Sequence, residues 1–423
     1  MNETSTVRVH VIFAHIPFTL CERCVGVRQA ALCGADVSPL VLCQMNVLLF
    51  ENENNVLLSG QAEFGRCGAP MTELRVIQWT TGKVGKLSLR GILDDPRLEL
   101  VGVYAYSADK AGRDAGPLCG RPDTGVLATT DIDALLALGA DTVFYNPFMA
   151  DLDHAVRLLE SGLDVISTNL FLNVGGIQGE AKDRLAAACE RGNSSLYITG
   201  INPGWINTMV TAMTAVSRDV QQVSIFESAD VSVYESAETW QALGFSLPEA
   251  SPDVLEMAKL WLSTFRDSVQ RMAVALNYEL DDMEFFIEHQ TASEDVDLGW
   301  LLMKRDTIAA IRAGWNGRVH GKTVVQSNVA WYLTKKLNGD WVFDDDHYHV
   351  VIKGEPEIQT RIRFIPPEHW GNHEWDTMTA MPAVSAAVNV AAAPAGILTL
   401  KDVGLPCAPA GIWLSDRSLP AST

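Results

Sequence analysis

The chain has 423 residues, 48% of them apolar, and carries 52 acidic against 32 basic side chains for a formal charge of −20. That length and apolar content provide for a sizeable core and two domains, and the acid excess excludes DNA, RNA and anionic lipid as partners, since each binds a basic footprint. No stretch reads as a membrane span: the apolar run from Ala380 to Leu400 is mostly alanine, contains Asn389 and is interrupted by Pro394.

Residues 1–70 stand apart. They hold five of the eight cysteines (Cys21, Cys24, Cys33, Cys43 and Cys67) and show no clean helical or strand period. They are expected to be a poorly structured extension ahead of a working start at Met71. A zinc module is disfavoured because Cys33 and Cys43 are not a close pair. A signal segment is disfavoured because His10, His15 and Pro17 interrupt the apolar run from Val9 to Leu20. The remaining Cys119, Cys189 and Cys407 suit a reducing cytoplasm.

From Leu74 the pattern becomes regular. Val76, Ile77 and Trp79 form a short apolar strand, and the turn Thr80-Thr81-Gly82-Lys83-Val84-Gly85 follows it. Leu89, Ile92 and Leu93 then recur at helical spacing until Asp94-Asp95-Pro96, and Leu98, Leu100, Val101 and Val103 make a second strand. A glycine directly after a strand lets backbone approach a diphosphate, whose charge the helix N-terminus stabilises. Thr80 stands where a full G-x-G-x-x-G has its first glycine, so the motif is incomplete. Short helices and strands alternate onward to Thr199, which predicts a doubly wound parallel α/β sheet. Its ligand edge holds Thr80 to Gly85, Tyr104 to Ser107, Tyr145 to Pro147 and Ser167 to Asn169.

Beyond Gly204 the pattern changes. Met209 to Val216 and Leu255 to Leu276 read as helices, and Val223 to Val233 reads as a strand. Phe285 to Phe364 reads as several antiparallel strands, including Gly317 to Thr334 and Trp341 to Ile352. These predict an α+β domain with an open mixed sheet over residues 204–376. A closing helix is expected over Pro382 to Val390, with the proline in its first turn, within a C-terminal segment 377–423.

Three segments carry a family resemblance. Gly112-Arg113-Asp114-Ala115-Gly116-Pro117-Leu118-Cys119-Gly120 resembles the G-x-D-A-G-x-L-x-G loop of the dihydrodipicolinate reductase superfamily. Val165-Ile166-Ser167-Thr168-Asn169-Leu170-Phe171 resembles that family's turn beside the nicotinamide, and Gly200-Ile201-Asn202-Pro203-Gly204 its interdomain junction. The likeness is nearest the branch that includes 2,4-diaminopentanoate dehydrogenase. It implies a Rossmann-type cofactor domain over residues 71–203, a second domain for substrate and oligomerisation, and a C-terminal part returning toward the cofactor domain.

On this reading Thr80, Thr81, Gly82, Lys83, Val84, Gly85, Tyr145, Ser167, Thr168, Asn169 and Asn202 line the NAD or NADP site. The second strand ends in Ala105-Tyr106-Ser107, without the acid that would hold a ribose 2′-hydroxyl. Ser107, Lys110 and Arg113 could hold a 2′-phosphate, which favours NADP; Asp109 serving the ribose is the alternative.

The reductases carry E-x-H-H-x-x-K after the junction. Here Glu227 matches, but Ala229 and Asp230 replace the histidine pair and Val233 the lysine. A dicarboxylate ring would lose its cationic partners, which argues against dihydrodipicolinate reduction. Glu227 and Glu238 could instead bind a substrate ammonium, with Asp230, Glu235 or Tyr234 as the catalytic base. The expected activity is therefore hydride transfer between a nicotinamide and a small amine, amino acid or imine, in a cytoplasmic homo-oligomer. A carbonyl reductase and a catalytically silent NAD(P) sensor are the alternatives. His347 and His349, two apart on a strand, lack a third ligand of characteristic spacing, so no metal is expected. A lone His289 is read as structural or exposed.

Overall fold

The computed structural model describes residues 73–170, 179–343 and 347–407. The expected N-terminal extension, Phe171 of the second family segment, and Asp344, Asp345 and Asp346, an acidic run just before His347 that could suggest a metal site, lie outside the described residues.

The chain first lays down β1 (Leu74–Trp79), α1 (Lys83–Asp94), β2 (Leu98–Tyr104), α2 (Ala115–Cys119), β3 (Ala128–Thr129) and α3 (Ile132–Leu136). Next come β4 (Thr142–Tyr145), α4 (Leu152–Glu160), β5 (Asp164–Ser167), α5 (Glu180–Gly192) and β6 (Ser195–Ile198). These strands pair in parallel in the order β6-β5-β4-β1-β2-β3. β4 and β6 are buried throughout and β5 nearly so, as runs such as Thr142-Val143-Phe144-Tyr145 require in a sheet covered on both faces. The doubly wound expectation holds.

An irregular crossover, Gly200 to Trp205, leads into α6 (Ile206–Met213) and the long β7 (Arg218–Asp230). Three helices follow, α7 (Ala237–Ala242), α8 (Pro252–Trp261) and α9 (Thr264–Ala275). The helix expected over Leu255 to Leu276 is thus two helices, broken at Leu262-Ser263. β8 (Asp282–Thr291), the short hairpin β9 (Val296–Asp297) and β10 (Leu302–Met303), β11 (Ile308–Val319), β12 (Lys322–Tyr332), β13 (Tyr348–Glu355) and β14 (Ile358–Ile362) complete the second domain. Its main sheet runs β14-β13-β7-β12-β11-β8, with β7 and β12 parallel and the other pairs antiparallel, so it is mixed as expected. Gly317 to Thr334 is not one strand: His320 (φ 51°) and Gly321 (φ 73°) make a two-residue turn between β11 and β12.

One face of this sheet packs on the helices. Val223, Ile225, Val325, Val329, Ile311, Ala313, Trp315, Val350 and Ile352 join Phe265, Val269 and Met272 of α9 in a single core. The closing helix α10 (Thr377–Ala391) begins five residues earlier than expected, because residues 372–376 form a 3₁₀ turn that runs straight into it. Ala383, Val384, Ala387 and Val390 bury against Val76, Phe144, Ile166 and Tyr197 of the parallel sheet. β15 (Gly396–Ile397) then adds a seventh parallel strand beside β6, and α11 (Leu400–Val403) follows. Among the described residues no helix is long and apolar enough to cross a membrane.

Candidate functional site

The carboxyl ends of β1, β4 and β5 are stitched together by side chains. The buried Gln78 amide donates to Thr80 O (2.9 Å) and to Asn146 Oδ1 (3.0 Å). Asn146 Nδ2 donates to Thr168 Oγ1 (2.9 Å), and Thr80 Oγ1 donates to Asn146 O (2.9 Å). Thr80 adopts φ 73°, the left-handed conformation that glycine usually supplies at this corner. The Asn146 carbonyl bond holds it there, so the missing first glycine is replaced rather than lost.

Gly82 precedes α1 with no side-chain cap, and a Cβ built on it meets nothing within 4 Å. No side chain caps the first amides of α1, and a helix N-terminus left so can take a diphosphate. A Cβ on Gly85 would lie 2.5 Å from Thr80 O, so only glycine lets the turn close on the helix. Thr81 is buried, Lys83 is exposed and Val84 is half-buried. This cradle fits the diphosphate of a nicotinamide dinucleotide.

At the end of β2, Tyr104 stacks on Trp79 with centroids 4.1 Å apart. Ser107 hydrogen-bonds Asp109 and holds its carboxyl below the usual range. Lys110 Nζ reaches back to Thr81 O (3.2 Å), and Arg113 is exposed. Asp114 caps α2 and accepts from Gly116 N, Thr124 N and Gly125 N, so the acid of the family loop acts as a structural clasp.

On β4 the Tyr145 hydroxyl is held by the backbone of Asp151, and burial pushes its pKa up to about 12. Ser167 Oγ donates to Asn169 Oδ1 and accepts from the amides of Asn169 and Leu170. Asn169 Nδ2 donates to Pro147 O.

The second half of the site is a buried polar cluster beside the crossover. Glu227 on β7 accepts three hydrogen bonds, from Asn202 Nδ2 (3.2 Å), Trp331 Nε1 (3.1 Å) and Tyr348 Oη (2.9 Å). Burial raises the Glu227 carboxyl above its ordinary range despite these donors, and burial, then the charge of Glu227, raises the Tyr348 hydroxyl. Asn202 continues the network through Ser268 Oγ (3.0 Å) to Asn207 Nδ2 (2.6 Å). Tyr234, 41% exposed at the edge of this cluster, hydrogen-bonds Asp376, and its hydroxyl is pushed up by partial burial first, then by the charges of Asp376 and Glu227. The Tyr234 backbone carbonyl accepts from Trp240 Nε1 (2.8 Å). A Cβ on Gly200 would lie 3.6 Å from the Thr379 methyl, so the start of α10 rests on the crossover that carries Asn202.

The structure thus brings Asn202, Glu227 and Tyr234 together. It does not bring the other acids to them. Asp230 is exposed at the end of β7 and accepts from Ser232 N and Ser232 Oγ. Glu235 and Glu238 are exposed in the following turn and on α7. Trp331, Tyr348 and Asp376 complete the cluster, and Gln78 the cofactor edge, without a motif to mark them. Only Gln78 and Trp331 carry a signal, as polar atoms among apolar strand positions; Tyr348 lies between two histidines and Asp376 in a 3₁₀ turn. His289 is half-buried with Nε2 lacking a partner, and burial lowers its pKa. His347 lies against Phe364 and Trp375, and His349 against Phe226. Among the described residues no group of three His, Cys, Asp or Glu is placed to hold a metal ion.

No protein-family model matches the chain. It is similar to an amine dehydrogenase of Streptomyces virginiae, 28% identical over 308 residues that span 68% of this chain and 84% of the relative. Shorter stretches are similar to 4-hydroxy-tetrahydrodipicolinate reductases. That of Paraburkholderia phymatum is 29% identical over 130 residues, 30% of this chain and 47% of the reductase. That of Synechococcus elongatus is 29% identical over 155 residues, 36% of this chain and 56% of the reductase. The solved structure of an amine dehydrogenase from Mycobacterium smegmatis superposes with a TM-score of 0.62 at 18% identity, covering 80% of this chain and 98% of that one, which shows a common fold.

Proposed function

We propose that this chain, which resembles the dihydrodipicolinate reductase-like superfamily, is an NAD(P)-dependent oxidoreductase of amines, interconverting a small amine or amino acid with its imine. The likeness to an amine dehydrogenase over 308 residues carries this reading. The cradle at Gly82 and the acid cluster beside the crossover agree with it. Dihydrodipicolinate reduction does not fit, since Ala229, Asp230 and Val233 occupy the positions of that enzyme's cationic residues.

Gly82, Gly85 and the first turn of α1 would hold the diphosphate, and Asn146, Thr168 and Asn202 would border the nicotinamide, which supplies the hydride acceptor when bound. An ammonium cannot lose hydride from its carbon until it has lost a proton. We assign that proton to Asp376, with Tyr234 donating to the carboxylate and fixing its direction. Glu227, engaged by three donors, orients Asn202 and Tyr348. Loss of hydride leaves an iminium, which water converts to a carbonyl and ammonium.

Asp376→Asn should lower kcat for amine oxidation by about 10²–10⁴ while the tryptophan fluorescence change on NADPH binding persists. Asp230→Asn and Glu235→Gln should stay within a few-fold of the parent. Loss of turnover in either of the latter pair would move the base to the turn after β7. Turnover of carbonyls without ammonia, and of no amine in a broad panel, would replace the amine reading with carbonyl reduction.

For the cofactor we propose a preference for NADP, with Ser107, Lys110 and Arg113 at its 2′-phosphate. Arg113→Ala should weaken NADPH about tenfold and leave NADH unchanged. Equal weakening of both would place no phosphate there.

A further inference from the structure

Tyr234 lies in the turn between β7 and α7 and is partly exposed, so the direction of its side chain follows from the backbone that carries it. That backbone is held at several points. Val231 N donates to Tyr332 O (3.0 Å), and Tyr234 N donates to Val231 O (3.1 Å). Two indoles complete the frame. Trp300, between β9 and β10, donates Nε1 to Ser232 O (3.0 Å), and Trp240 of α7 donates Nε1 to Tyr234 O (2.8 Å). A peptide unit is planar, so the planes before and after a residue together set its Cα–Cβ direction. At Tyr234 the plane before is tied to Val231 and the plane after to Trp240.

Trp240 is the more firmly anchored of the two indoles. Trp300 is half-buried, whereas Trp240 is only 6% exposed and meets Phe245 edge-to-face at 5.5 Å and Trp331 at 6.0 Å. Trp331 is itself fixed by its bond to Glu227. An indole locked in a packed core offers its N–H in one direction. The Tyr234 carbonyl also accepts from Ser236 N (2.8 Å). Loss of the indole donor would therefore leave no orphaned acceptor. What the Trp240 N–H adds is a fixed point at the residue whose hydroxyl reaches Asp376.

We propose that Trp240 is a positioning residue: its indole N–H fixes the peptide plane after Tyr234 and so aims the Tyr234 hydroxyl at Asp376. The inference rests on the amine reading, which gives Asp376 the substrate proton and Tyr234 the task of directing the carboxylate. Without the N–H the turn keeps its place, but the hydroxyl no longer has a single direction.

The test is the rate of NADP reduction in a single turnover at saturating amine, on full-length variants with circular dichroism as the check of folding. Trp240→Phe keeps a ring in the core and removes the N–H. Its rate should fall at least about tenfold, with KM for the amine within about threefold of the parent. Benzothienylalanine at position 240, a bicyclic isostere with sulfur in place of N–H, should do the same without any loss of core volume. Tyr234→Phe should lower the rate by a similar factor. Adding Trp240→Phe to it should cost no more than about twofold further, because one residue acts through the other. Phe245→Leu thins the same core without touching the N–H and should keep the parent rate. A parent rate in both variants at position 240 would overturn the proposal. So would a Trp240→Phe penalty undiminished in the Tyr234→Phe background, or a loss in Phe245→Leu as large as that in Trp240→Phe. Turnover of no amine by the parent, or full turnover by Asp376→Asn, would instead sink the amine reading and this assignment with it.

Discussion

Gly85 tolerates no side chain, because a Cβ there would meet the Thr80 carbonyl at 2.5 Å and backbone cannot yield as a flexible side chain can. Gly85→Ala should therefore open the turn and cut dinucleotide affinity at least about tenfold, with folded content retained, as fluorescence titration and circular dichroism can check. Asp164 behaves differently. It accepts from Ser195 N at 2.7 Å, yet burial raises its carboxyl to about 6 from an ordinary 3.8. The folded state therefore holds this proton more tightly than the unfolded chain does. Its contribution to stability is present below about pH 4 and is lost as pH rises toward about 6. Asp164→Asn keeps an acceptor for Ser195 N and removes the charge. Denaturant midpoints of parent and variant should diverge across that window, with the variant the more stable at neutral pH.

Among the elements, α9 ties the two lobes together. Asp267 and Arg271 form an ion pair of 2.6 Å with side chains only 3% and 15% exposed, and Arg271 Nη1 donates to Ile198 O at the end of β6 (2.7 Å). Asp267→Ala would strand a buried guanidinium, so a loss of about 3–5 kcal/mol is expected in urea unfolding. The elements themselves were legible to different degrees. α1 declared itself through Leu89 and Ile92, both fully buried, and the strands of the parallel sheet through unbroken apolar runs. The β11–β12 turn did not, because His320-Gly321 lacks the Asn-Gly or Asp-Gly signature and the flanking residues alternate alike on both sides. The start of α10 was obscured by Pro382, which sits in the second turn rather than the first.

At the level of the whole molecule, the C-terminal helix completes the cofactor sheet. Val384 is 1% exposed among Val76, Ile92, Phe144 and Tyr197. Val384→Asp should bury an uncompensated carboxylate in that layer and cost about 4 kcal/mol or more, seen as loss of cooperative unfolding. If, as proposed, dinucleotide binds only the folded sheet edge, NADPH at about a hundred times its Kd should stabilise the parent by about 2.7 kcal/mol in the same assay. No such gain on well-folded protein would remove the nicotinamide reading altogether.

What the sequence by itself determined is local. Hydrophobic period and turn chemistry announce a strand, a glycine turn and a helix in that order, and the order alone builds the proposed diphosphate cradle, since its parts are neighbours in the chain. The acid cluster is another matter. Glu227 meets Asn202, Trp331 and Tyr348 across 25, 104 and 121 residues. It does so because β7 lies between β12 and β13 and because strand parity turns position 227 inward and position 230 outward. Which of several acids in one run faces the cleft is a property of sheet order and pleat, and only the tertiary structure decided it.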